Sequence, residues 1–190
     1  MLSSITPLGE RGRKQRYWLT ATAFVTASVV GGSAFGLLCG LLGGLLPGGH
    51  LYLALAGALA ALVVDATSFT LPSTKRQVNE DWLPRWRGWV YGLGFGLQLG
   101  FGLATVVPAA LGYLLWLLAF ATASPSAGLM IGALFGLGRG LALLAGRGVR
   151  SIGDLVAFHR RLASWGAHGQ RSAIGADALA AGLVVVQLLR

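Results

Sequence analysis

The stretch GWVYGLGFGLQLG, residues 88–100, places glycine at every fourth position, Gly88, Gly92, Gly96 and Gly100, with Gly94 added. A phosphate-binding loop would need a strand before it and a helix N-terminus after it in a βαβ setting. The residues ahead are instead DWLPRWR, a tryptophan and arginine cluster of the type that anchors a chain at a membrane surface. The alternative is a helix, on which positions four apart share one face, so that the glycines form a flat groove without side chains. The same ladder recurs as Gly32, Gly36, Gly40, Gly44 and again as Gly128, Gly132, Gly136, Gly140. Within lipid, where apolar surface alone does not drive helices together, such grooves let backbones approach closely. Three ladders in three apolar segments predict helices packed against one another at the centre of a bundle.

Composition agrees with a membrane setting. Of 190 residues 55% are apolar and 11% charged, with 30 glycines, a balance too apolar for a soluble domain. Residues 17–46, 51–71, 88–122 and 127–145 each reach the length of about 20 residues that crosses a bilayer core, and 173–189 is a shorter fifth candidate. The first segment is too long for a cleavable signal peptide and is expected to remain in the mature protein.

The net charge of +9 suggests nucleic acid in a soluble protein, but its distribution argues otherwise. Basic residues concentrate in three segments: Arg11, Arg13, Lys14 and Arg16; Lys75, Arg76, Arg85 and Arg87; and Arg147, Arg150, Arg160, Arg161 and Arg171. The intervening PGGH and ASPSA carry no Lys or Arg. This is the asymmetry of the positive-inside rule, which places 1–16, 72–87 and 147–172 in the cytoplasm and excludes a nucleic-acid partner. The chain must then cross an even number of times between basic segments, so 88–122 counts once. At 1.5 Å per residue it would be about 52 Å long against a core of about 30 Å, and Pro108 with the nearby glycines favours a break.

The expectation is an all-α, polytopic bundle in a bacterial-type inner membrane, residues 1–190 forming one integral membrane domain. It has five spans and a cytoplasmic N-terminus; six spans, with 88–122 divided near Pro108, is the alternative. Residues 17–71 and 88–146 read as a repeated helical hairpin, hinted at by FGLLCG, FGLQLG and FGLGRG from Phe35, Phe95 and Phe135. In SIGDLVAFHRRLASW the apolar residues cover about half a helical wheel and Ser151 with Asp154 resembles a capping box, which predicts one interfacial amphipathic helix. The partners expected are the bilayer itself, anionic lipids at the basic loops, and further helices in a homo- or hetero-oligomer.

Few polar groups lie within the spans, and an ionisable one there is a functional candidate. Asp65 and Arg139 sit at equal expected depth and suggest a buried pair. Gln98, Thr105 and Pro108 suggest a solute path through the interrupted segment. Cys39, the only cysteine, lacks an intramolecular disulfide partner and reads as a small apolar packing residue or a redox thiol. No nucleophile motif, carboxylate pair or metal-ligand spacing is legible, so neither an enzyme nor a cofactor is expected.

The run RWRGWVYGLGFGLQLGFGLATVVPAALGYLLWLLAFATASPSAGLMIGALFGLGRGLALLAG, residues 85–146, resembles the second half of the CcdA and DsbD transmembrane proteins, whose superfamily includes small-solute exporters. That resemblance implies broken helices at mid-membrane, inverted repeats, and transport of reducing equivalents or small solutes. Redox members carry a cysteine beside proline in each half, whereas the stretch from Leu99 to Pro108 has none, so no catalytic residue carries over. A small-solute transporter or exporter is the expected function, with a structural or assembly subunit of a membrane complex, or a CcdA-like cytochrome-maturation protein, as alternatives.

Overall fold

In the computed structural model, which describes residues 4–67, 81–102 and 109–189, all regular structure is helical. In chain order the elements are α1 (Pro7–Gly12), α2 (Tyr17–Gly44), α3 (His50–Ala66), α4 (Trp82–Arg85), α5 (Gly88–Phe101), α6 (Leu111–Ala121), α7 (Pro125–Leu141) with a 3₁₀ extension (Ala142–Gly148), and α8 (Ile152–Leu188). Among the described residues, three helices are long and apolar enough to cross a membrane: Tyr17–Gly44, Pro125–Gly148 and Ile152–Leu188. Two shorter apolar helices, His50–Ala66 and Leu111–Ala121, complete the apolar set.

Helix ends follow local chemistry. Ser124 caps α7 by accepting from the Ala127 amide, and Pro125 follows at the first helical position, where its missing N–H costs nothing. At the start of α8 the Asp154 amide donates to Ser151 Oγ at 3.2 Å and the Ser151 amide donates to Asp154 Oδ2 at 2.9 Å, a complete capping box. Between α2 and α3, Gly48 and Gly49 adopt φ of +72° and +77°, which a side chain would strain, and the His50 ring nitrogen Nε2 lies 2.9 Å from the Gly43 carbonyl.

Helix α2 is the centre of the bundle, with α7 along one side and α5 along another. Gly32 meets Gly132 and Gly136, Gly36 meets Gly128 and Gly132, and Gly40 meets Ser124, so α2 and α7 run antiparallel with main chain against main chain. Gly92 meets the Thr20 carbonyl, Gly96 that of Phe24 and Gly100 that of Ser28, so α5 runs parallel to α2. The Ser28 carbonyl is approached from both sides, by Gly100 of α5 and Gly136 of α7. Farther along α2, Gly43 meets the Phe120 carbonyl of α6. Helices α5 and α6 therefore climb α2 in the same direction, as two halves of one interrupted rod.

The expected hairpin repeat has a different packing logic from the one its sequence suggests. Helices α2 and α3 are consecutive but do not pair; α3 packs on α6 and α8. A second cluster joins them, formed by Ala58 and Ala61 of α3, Ala110 and Leu114 at the start of α6, and Ala181 of α8. The amphipathic segment, the following loop and the final apolar segment, read apart in the sequence, are one helix of 37 residues. No proline follows Pro125, and the isolated glycines of this region do not break the helix.

Helix α1, the starts of α2 and α5, and the segment after α7 meet at one end of the bundle. There the Leu8 amide donates to the Val149 carbonyl at 3.1 Å, joining α1 to the segment after α7, and the Gly88 amide donates to Gln15 Oε1 at 3.0 Å, joining the start of α5 to the start of α2. Glu10, fully buried, accepts from Arg13 Nη2 at 2.6 Å, from Thr20 Oγ1 at 2.8 Å and from the Tyr91 hydroxyl at 2.5 and 2.6 Å. Burial works against the Arg13 charge, but the bonds to Glu10 and Tyr91 outweigh it and hold its pKa above the ordinary value. Three groups, from the turn after α1, from α2 and from α5, thus share one carboxylate on α1.

A Cβ at Gly36 or Gly132 would overlap a backbone carbonyl of the facing helix, whereas one at Gly138 meets nothing within 4 Å. Gly36→Ala and Gly132→Ala are expected to destabilise the bundle by about 2 kcal/mol or more through forced separation of α2 and α7. Gly138→Ala is expected to be neutral or to stabilise by up to about 1 kcal/mol through helix propensity. Thermal unfolding of the three variants in detergent checks the contrast. Tyr91→Phe, which keeps the ring and removes the donor to Glu10, is expected to cost about 1–3 kcal/mol in the same assay.

Candidate functional site

The start of α6 brings together two of the buried carboxylates among the described residues, Asp65 and Asp177. Helix α5 ends where Gly102 takes φ +71° and donates its amide to the Leu99 carbonyl at 3.1 Å. A side chain at Gly102 would meet Phe135 and the indole nitrogen of Trp116. Around this point Phe35 of α2, Phe101 of α5 and Phe135 of α7 gather about Trp116 of α6. Phe35 and Trp116 have ring centroids 4.8 Å apart, Trp116 and Phe135 4.7 Å, and Phe35 and Phe101 5.8 Å, all edge-on. The phenylalanines that open two of the three similar hexapeptides thus converge on one tryptophan. The third, Phe95, stacks on Trp82 at 6.0 Å.

Restarting a helix inside a bundle leaves its first backbone N–H groups without intrahelical partners. Ala110, at the cap position of α6, has no side chain to do so. Asp65 does it from α3: its Oδ1 accepts from the Ala110 amide at 2.7 Å and its Oδ2 from the Leu111 amide at 3.4 Å. The carboxylate thus lies at the N-terminal end of α6. Helix α8 closes the site, with the Gln170 amide donating to the Asp65 carbonyl at 3.2 Å. Asp177, two turns after Gln170, is fully buried with its carboxylate beside that of Asp65, which is 6% exposed.

Asp65 and Arg139, expected as a pair, have different surroundings. Asp65 faces α6 and α8, while the Arg139 guanidinium lies 5.4 Å from the centroid of Phe135, one turn away on its own helix. Gln98 is on α5, half-buried, and Cys39 is half-buried on α2. Thr105 and Pro108 lie outside the described residues. Among the described residues no group of three metal-ligating side chains occurs.

Asp177 was not singled out by sequence. The signal that could have found it is the spacing of Ala173, Asp177 and Ala181, one buried stripe on α8, matching Ala54, Ala58, Ala61 and Asp65 on α3. Each stripe is small and apolar except for one aspartate, and the two aspartates meet.

The basic end of the bundle carries a separate cleft of about 320 Å³ lined by Arg11, Arg147, Arg150, Gln15, Tyr17 and Trp18. Three guanidinium groups give this cleft a positive charge beside two aromatic rings.

A curated protein, the methylamine utilization protein MauF of Paracoccus denitrificans, is 31% identical to this chain over 206 aligned positions, which take in 98% of the chain and 71% of that protein. No family model and no solved structure matches. Removal of the cap by Asp65→Ala, which strands the Ala110 and Leu111 amides, is expected to cost about 1–3 kcal/mol of stability. Asp65→Asn, which keeps an acceptor oxygen, is expected to cost less. Chemical unfolding of both variants in mixed micelles checks the order.

Proposed function

Because the chain belongs to the MauF family, we propose that it is a multi-pass inner-membrane protein of methylamine utilization that moves a small solute across the bilayer. The observation that carries the reading is the interrupted α5–α6 rod, whose second half starts inside the bundle against a buried carboxylate. Discontinuous helices whose half-helix ends meet polar groups are how many transporters build a path through lipid. A site with carboxylates at its centre suits a cation, which makes methylammonium the first solute to test.

The arrangement of the basic segments supports five spans. With α1, the starts of α2 and α5, and the segment after α7 at one end, that end is cytoplasmic by the positive-inside rule. Helices α2, α5–α6 and α8 then lead outward and α3 and α7 return. The parallel course of α2 and α5 supports this count over six spans and over an inverted repeat of the CcdA type. Exposed apolar side chains such as Leu45, Leu134, Leu179 and Leu183 then face lipid, and the arginine-lined cleft takes an anionic headgroup.

One observation favours a second reading, a structural or assembly subunit. The α2–α5–α7 core is packed main chain to main chain and leaves no passage between those helices. A CcdA-like redox role would place its chemistry on Cys39, the only cysteine, and so needs a thiol from another molecule.

Purified protein in liposomes is expected to take up radiolabelled methylammonium faster than protein-free vesicles, with uptake reduced at least about tenfold in Asp65→Ala, an effect comparable to removing a buried charged contact. Uptake at the protein-free rate, together with a stoichiometric partner retained in mild detergent, would replace transport with the assembly reading.

A further inference from the structure

The carboxylates of Asp65 and Asp177 stand side by side in a place where two negative charges have little to hold them. Asp177 is fully buried, and neither of its oxygens meets a hydrogen-bond donor among the described residues. The group within hydrogen-bonding reach is another acceptor, the Asp65 carboxylate. Asp65 is already oriented by the Ala110 and Leu111 amides, so its charge has partners and its position is fixed.

The surroundings supply no compensating cation among the described residues. From α6 come the two amides; from α3, Asp65 itself; from α8, the Gln170 side chain, which is spent on the Asp65 carbonyl. Among the described residues, Asp65 is the charged group acting on Asp177. The small residues Ala58, Ala61, Ala110 and Ala181 pack just beyond and keep the region apolar. A buried carboxylate without donors is costly, and two in contact cannot both be ionised without a cation between them.

We propose that Asp65 and Asp177 form a single proton-binding site, in which one proton lies between the two carboxylates at the N-terminus of α6. With it, Asp177 becomes the donor and Asp65 the acceptor, and one of the two orphaned Asp177 oxygens gains a partner through a single O–H···O bond. Asp65 is the acceptor because its oxygens already accept the Ala110 and Leu111 amides and are fixed by them. Loss of the proton leaves two adjacent anions and drives α8 from α3. The site thus links protonation to the packing of the last helix. The inference rests on the membrane-bundle reading and not on transport.

Infrared spectroscopy of the full chain in nanodiscs tests it, because a protonated carboxyl gives a carbonyl band that an ionised one lacks and that shifts in D₂O. Near pH 7 the protein is expected to show one such band per chain, and D65N and D177N are each expected to abolish it, since the introduced amide donates to the remaining carboxylate. Thermal unfolding gives an independent readout. The folded chain holds a proton that the unfolded chain does not, so its unfolding equilibrium is expected to rise by up to about tenfold per pH unit above the acid range. That dependence should be absent in D177N.

Absence of the band from the unaltered protein at about pH 6 to 8 overturns the proposal, and needs no variant to fold. Persistence of the band in either variant also overturns it, because the proton then belongs to one residue or lies elsewhere. Failed methylammonium uptake with the band present leaves the site standing, and uptake without the band removes the site but not transport.

Discussion

The bundle depends on how closely other backbones can approach α2. In lipid the apolar exteriors of helices gain nothing by leaving solvent, so association rests on van der Waals contact and on polar groups that meet inside. Here α7 and α5 reach α2 through glycines placed opposite carbonyl oxygens, at separations no side chain would permit. With Cβ atoms absent at these crossings, the number of close atomic contacts per turn rises, and each adds a small dispersion gain. Every other element is placed by reference to this three-helix contact: α6 against the far end of α2, and α3 and α8 on α6.

The second group of helices is held differently. Helices α3, α6 and α8 meet through alanine and leucine side chains and through one polar cluster. That cluster exists because a helix begins in the interior. The free amides of α6 require an acceptor, Asp65 supplies it, and the presence of Asp65 gives Asp177 its setting. A break in secondary structure is therefore the cause of the polar site, and the apolar lining around it raises the energetic stakes of each bond.

Sequence pattern was most informative where one residue type reported one physical requirement. The ladders at Gly32–Gly44, Gly88–Gly100 and Gly128–Gly140 marked segments that the structure packs main chain to main chain, because glycine in a helix is costly unless something uses the space. The length of 88–122 showed that this segment could not be one straight helix through a bilayer core. Partner identity was not legible. Depth along the chain made Asp65 and Arg139 look alike, but which faces of α3, α7 and α8 turn toward one another depends on packing angles that no spacing records. Asp177 escaped for the same reason. Its burial follows only once α8 lies on α3. The continuity of α8 was also hidden, since a change from amphipathic to apolar character alters a helix's surroundings without ending it.

The Ser28 carbonyl, approached by Gly100 on one side and Gly136 on the other, has a mechanical consequence. A helix engaged by main chain on two flanks can neither turn about its axis nor slide by part of a turn without driving atoms into overlap. Helices α2, α5 and α7 therefore behave as a stator. Helix α6 shares that frame where its Phe120 carbonyl meets Gly43, so the freedom to rock falls to α3 and α8, which meet α6 through side chains.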